Sequence, residues 1–102
     1  MTTRARICGT WFEWDEWKSQ KNLHTRGFDF ASAAMAFFDD HAIRMPNAAL
    51  DEERFQQIAW TESAGLIVVV YSVREYEDEE SFRIISAREA TKTEKNIYTR
   101  GY

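Results

Sequence analysis

An α+β fold of element order β-α-α-β-β-β-α is predicted by three features of this 102-residue sequence. Leu66 to Val73 (LIVVVYSV) is its most apolar run and reads as a central strand buried on both faces. Phe30, Ala33, Ala34, Phe37 and Phe38 recur at helical spacing behind Asp29, a capping residue, so a helix from Phe30 to about Asp40 should lay that stripe on a sheet. Ser81 to Ser86 reads as a short strand, Phe82 and Ile84 on one face and Arg83 and Ile85 on the other. It passes directly into a helix expected to begin near Ala87 and run to about Tyr98. The sheet is expected to be small and antiparallel, with two helices before it and one after it.

In chain order, residues 1 to 9 read as a loose lead-in punctuated by Gly9. Trp11 to Trp14 is a short strand in which Phe12 and Trp14 alternate with Glu13. Asp15 is the predicted N-cap of a first helix that runs to about Arg26, and Gly27 is its stop. That helix is polar: Lys18, Ser19, Gln20, Lys21 and Asn22 are assigned to solvent, and Trp14, Trp17 and Leu23 to its anchoring. Asp39 to Leu50 is a connection in which Pro46 forces Met45 out of helical geometry, with room for an edge strand over Ile43 to Met45. Glu53 to Glu62 reads as a strand, with a helix the alternative for this segment alone, and Ser63 to Gly65 as a turn. Arg74 to Glu80 carries five carboxylates and reads as an exposed hairpin tip whose charge discourages edge aggregation. Ala90, Ile97 and Tyr98 should pack the last helix back on the sheet.

The length supports one domain, residues 1–102, with one core. A hydrophobic fraction of 44% with 15 aromatic side chains argues against disorder. The net charge of -4 counts against a general nucleic-acid binder, although it leaves room for a local basic site. One such site is visible: Arg83, Arg88, Lys92, Lys95 and Arg100 fall in a stretch with only two acids, Glu89 and Glu94. Cys8 has no internal disulfide partner, which suits a reducing compartment, and no apolar run approaches the ~20 residues of a membrane span. A cytoplasmic location and no membrane contact are therefore expected. His24, His41 and Cys8 show no metal-ligand spacing, and the four glycines form no phosphate-binding signature. No metal and no cofactor are expected. The apolar surface around Trp11 to Trp17 is a candidate interface.

Several blocks in order resemble the BrnT family. They are FEWD at Phe12 to Asp15 with Lys18, Asn22, Gly27-Phe28 and Phe30; Glu52-Glu53-Arg54-Phe55; the Leu66 to Tyr71 strand; and Arg83-Ile84-Ile85-Ser86-Ala87-Arg88 with Ala90-Thr91, Glu94 and Tyr98. The resemblance runs from Phe12 to Tyr98 and implies a RelE-like fold. It also implies a metal-independent endoribonuclease of mRNA-interferase type, the toxin of a bacterial type II toxin–antitoxin system. The implied partner is a BrnA-like antitoxin with a ribbon-helix-helix domain, which would reach operator DNA and build a higher-order hetero-oligomer. Two departures, Thr25-Arg26-Gly27 where many members carry Lys-His-Gly and Glu89 after the second arginine, keep an alternative open. The chain would then be a catalytically weak or inactive toxin-like module, acting as partner or corepressor of a DNA-binding antitoxin.

Such a ribonuclease drives the RNA 2′-hydroxyl against the adjacent phosphate. It needs a proton acceptor, cations for the transition state and a proton donor for the leaving oxygen. Arg83, Arg88, Arg54, Glu53 and Tyr98 are the candidate catalytic residues, and Lys18, His24, Lys92 and Lys95 the candidate RNA contacts. Each also has a structural reading. Arg83 and Arg54 could pair with acids on neighbouring strands, and Glu53 could form a surface ion pair. His24 could serve the helix dipole, the lysines could be solvated, and Tyr98 could be a core-edge aromatic.

Overall fold

In a computed structural model, described over residues 1–45 and 53–100, six strands form one sheet in the order β1-β2-β6-β5-β4-β3. The strands are β1 (Thr2–Ile7), β2 (Thr10–Asp15), β3 (Ile43–Met45), β4 (Arg54–Thr61), β5 (Gly65–Tyr76) and β6 (Glu79–Glu89). Helices α1 (Glu16–Arg26) and α2 (Phe30–Ala34) follow β2, and α3 (Lys92–Arg100) follows β6. All pairings are antiparallel except β2 with β6, which run parallel. The predicted α+β class is thus the observed one, with an antiparallel meander at its centre. Pro46 and the rest of the expected connection to Leu50, together with Glu52, lie outside the described residues.

The expected loose lead-in is instead an edge strand. Thr3, Ala5 and Ile7 are half-buried while Thr2, Arg4 and Arg6 are exposed, the period-2 pattern of a strand with one covered face. Cys8 and Gly9 turn the chain with φ of 49° and 81°, the positive pair that a tight two-residue hairpin uses.

Helix α1 starts and stops where expected: Asp15 accepts from Trp17 N at 2.9 Å, and Gly27, at φ 88°, donates to Leu23 O. Its anchors are different. Trp17 is 69% exposed and Leu23 44%, Trp14 belongs to β2, and the helix buries Ser19 and Asn22 instead. Ser19 Oγ accepts from Phe30 N at 2.9 Å, and Asn22 Nδ2 donates to Phe28 O at 2.8 Å. Two short polar side chains therefore fasten the turn that places Phe28 and Phe30 in the core. Asn22→Ala leaves the Phe28 carbonyl without its partner in a buried site and should cost about 1–3 kcal/mol, read as a lowered denaturant midpoint at unchanged m-value.

Asp29 caps α2 through Ser32 N at 2.8 Å. The regular helix ends at Ala34, and Met35–Phe38 tighten into a 3-10 turn rather than continuing to Asp40. The tightening delivers Phe37 into an aromatic cluster, its ring 5.1 Å from Phe12, 4.7 Å from Tyr71 and 4.9 Å from Phe82. It also frees Asp39 to accept from Trp60 N at the edge of β4.

Strand β6 runs on past Ser86 to Glu89, because Ala87 to Glu89 pair with Val69 to Ile67 of β5. No helix begins at Ala87. The register jumps between Val70–Ser86 and Tyr71–Ile84, leaving Ile85 as a bulge. That extra residue resets the alternation, so Ile84 and Ala87 share the same core. At the other end Arg74 to Tyr76 pair with Ser81 to Glu79, and only Glu77 and Asp78 form the turn of the expected tip.

The two faces of the sheet differ. One carries the main core, with Phe12, Trp14, Val69, Tyr71 and Ile84 under Phe28, Phe30 and Ala33. The other is covered at its β4–β5 side by α3, where Ile97 and Tyr98 pack on Ile58, Val68 and Ala90. The remainder of that second face carries charge.

Candidate functional site

Strand register aligns a polar row on this second face: Arg4 opposite Glu13, Glu13 opposite Arg83, Arg83 opposite Ser72, and Ser72 opposite Arg54. Arg83 Nη1 donates to Glu13 Oε2 at 2.9 Å. The Glu13 side chain is 4% exposed and that of Arg83 26%. Burial opposes the Glu13 charge, but the Tyr76 hydroxyl and the Arg83 guanidinium outweigh it and hold the carboxyl below its ordinary range. Glu13 thus stays ionised and fixes one side of the Arg83 fork.

Beside this pair lies a cavity of about 250 Å³ lined by Lys18, Arg54, Arg74 and Arg83, with Glu53, Ser72 and Ile85. Four cations and one carboxylate converge there in a chain of net charge -4. Arg54 and Arg83 stand two strands apart, about 10 Å between backbones, so both long side chains reach the space above Ser72. Ser72 is 8% exposed and its Oγ has no hydrogen-bond partner among the described residues. A second cavity of about 400 Å³ lies between α1 and β6, lined among others by Lys21, Arg26 and Arg88. Lys18 and Ile85 border both cavities, so the two form one basic groove. The groove exists because β2 ends at Asp15 and α1 takes its place beside β6 from the bulge onward.

The candidate residues divide accordingly. Arg83, Arg54, Glu53 and Lys18 come together in the smaller cavity. Arg88 sits within β6 rather than at a strand-to-helix corner, and its guanidinium grips Glu94 with both nitrogens at 2.7 and 2.9 Å. That contact, more than the burial that opposes it, raises Arg88 above its usual value and holds Glu94 at about 2. Tyr98 is remote from the cavity: its hydroxyl donates to Asp39 at 2.7 Å, and burial and that carboxylate push it up to about 12. His24 faces outward on α1 beside Trp17, and Lys92 and Lys95 are exposed on α3. None of these three borders the cavity.

Arg74, Ser72 and Glu13 were not singled out from the sequence. Period-2 alternation carried the signal, since Ser72 and Arg74 alternate with Tyr71 and Val73, as Glu13 does with Phe12 and Trp14. Among the described residues no three of His, Cys, Asp and Glu gather where they could hold a metal ion, and no helix is long and apolar enough to cross a membrane.

This fold and groove can be set beside known proteins. The model of a family described as the ribonuclease toxin BrnT of type II toxin–antitoxin systems matches residues 14–94. Among solved structures, the ribonuclease toxin BrnT of Brucella abortus is similar at 27% identity with a TM-score of 0.54, over 78% of this chain and 94% of that one. A search of curated protein sequences gives no match. With four-fifths of its length matched, the chain belongs to the BrnT family of type II ribonuclease toxins.

Proposed function

We propose that this chain is an RNA-cleaving toxin whose reaction takes place in the cavity between Arg54 and Arg83. The observation that carries the reading is the convergence of Lys18, Arg54, Arg74 and Arg83 around a single carboxylate, Glu53. Arg83 and Arg54 hold the scissile phosphate from two sides and offset the charge that grows on its oxygens as the 2′-hydroxyl attacks. Glu53 accepts the 2′-hydroxyl proton, and Lys18, reaching in from α1, protonates the leaving 5′-oxygen. The balance closes without a metal: one P–O bond forms, one breaks, and one proton moves on each side. Arg88 in this reading supports the neighbouring wall of the groove, and Lys21 and Arg26 continue the phosphate path along α1. Lys92, Lys95, His24 and Tyr98 take no part in the reaction.

The partner is an antitoxin carrying a ribbon-helix-helix domain, which brings the toxin to operator DNA in the cytoplasm, and the RNA class is messenger RNA. Membership of a type II toxin family supports an antitoxin, and the resemblance of the ordered motifs supports its kind. Purified chain incubated with RNA and a chelator should yield fragments ending in 2′,3′-cyclic phosphate. Intact RNA at full folding would end the enzymatic reading and leave a binding module.

A further inference from the structure

The basic row does not stop at the cavity. Past Glu13 it reaches β1, where the Arg4 guanidinium lies over the Trp11 ring at 4.3 Å and the Tyr76 ring at 4.9 Å. Arg6 stands 5.8 Å from the same Trp11 ring. Trp11 comes from β2 and Tyr76 from the far end of β5, so three strands build this platform. The family match begins at residue 14, which leaves β1 and Trp11 outside it.

We propose that Arg4, Trp11 and Tyr76 form a stacking subsite for the nucleobase next to the scissile phosphate, a reading that rests on the RNA-cleaving assignment of the adjacent cavity. Arg4 and Arg83 are separated by two strand spacings, about 10 Å, within reach of a neighbouring nucleotide of one RNA strand. The chemistry selects a base rather than a phosphate. Glu79 lies 3.5 Å from Arg4, and Glu75, Glu77, Asp78 and Glu80 gather at the same end of the sheet. These carboxylates repel a phosphate, whereas a neutral base can stack on a guanidinium plane backed by aromatic rings. Tyr76 is 45% exposed and the Arg4 side chain 37%, so the surface is open to a ligand. The acidic turn closes the RNA path on this side, and the basic groove continues it on the other.

The test compares wild type with Arg4→Gln and Arg4→Lys, exposed-site variants whose folding is checked by circular dichroism. The ratio of kcat/KM for an octaribonucleotide to that for a dinucleotide should fall about tenfold in Arg4→Gln, mainly through KM. Arg4→Lys, which keeps charge and loses the plane, should fall nearly as far. An unchanged ratio overturns the subsite, and full rescue by lysine overturns stacking in favour of plain charge. Octanucleotide binding by fluorescence anisotropy separates the two readings. Weakened binding by Arg4→Gln in a chain that cleaves nothing retains the subsite and removes the nuclease.

Discussion

Arg83→Lys is expected to lower RNA cleavage about 100-fold in a chain that remains folded, the scale on which loss of one preorganised transition-state donor is felt. Lysine keeps a positive charge within reach of Glu13 but replaces a planar fork by a point charge. In the native chain one Arg83 nitrogen is committed to Glu13 at 2.9 Å, and that commitment aims the remaining donors toward the cavity shared with Arg54. Lysine has no second, rigidly placed donor with which to do both. Arg83→Ala is a poorer experiment for the same reason. It leaves the nearly fully buried Glu13 carboxylate without its charged partner and should cost about 2–4 kcal/mol of stability along with activity. Initial rates on RNA, with the urea midpoint measured in parallel, separate the effects. A lysine variant cleaving at the wild-type rate would remove Arg83 from the phosphate site and leave it as the partner of Glu13.

Both readings of Arg83 offered by the sequence thus have a physical counterpart. It does pair with an acid on a neighbouring strand, and it also lines a cavity of the open face with Lys18, Arg54 and Arg74. The sequence could not join the two, because Glu13 lies 70 residues away and reaches Arg83 only through the parallel pairing of β2 with β6. Parallel partners are set by tertiary closure rather than by a local turn. What was legible came from strong periodicity and local capping: the central strand, the Asp15 and Gly27 limits of α1, the Asp29 cap of α2 and the edge strand at Ile43–Met45. What was not legible came from long-range competition. Ala87 to Glu89 look helical alone, but the apolar run of β5 requires a partner, and pairing outweighs propensity. The polarity of α1 concealed its role, since Ser19 and Asn22 read as solvent residues until the backbone of the next turn appears above them. At residues 1 to 9 the alternation TTRARI was present, and its weak apolar content hid a strand that needs only half-burial.

The start of α3 supplies the second large expectation, a stability difference between wild type and Glu94→Gln that is present at pH 6 and largely lost near pH 2. Thr91 and Glu94 form a reciprocal cap: Thr91 N donates to Glu94 Oε1 at 2.8 Å and Glu94 N donates to Thr91 Oγ1 at 3.2 Å. The same carboxylate receives both arms of Arg88. Its folded value of about 2 lies below the ordinary 4.5, so the charged form favours the folded state. The contribution is therefore complete above about pH 4.5 and is lost as pH falls from there toward 2. A displacement of that size corresponds to at most about 3 kcal/mol, and solvent screening of Arg88, whose side chain is 37% exposed, reduces it to about 1–2 kcal/mol. Glutamine can still satisfy Thr91 N, so the substitution removes the charge and spares the cap. Urea midpoints of the two chains at pH 6 and pH 2 decide it, because the other acids held below their ordinary range, Glu13 and Asp39 among them, titrate in both and cancel. A gap of equal size at both pH values would show that packing, not charge, joins β6 to α3. Loss of the gap with pH instead identifies the Glu94 charge, held between Arg88 and Thr91 N, as a fastening of α3 to β6 that acts beside the packing of Ile97 and Tyr98.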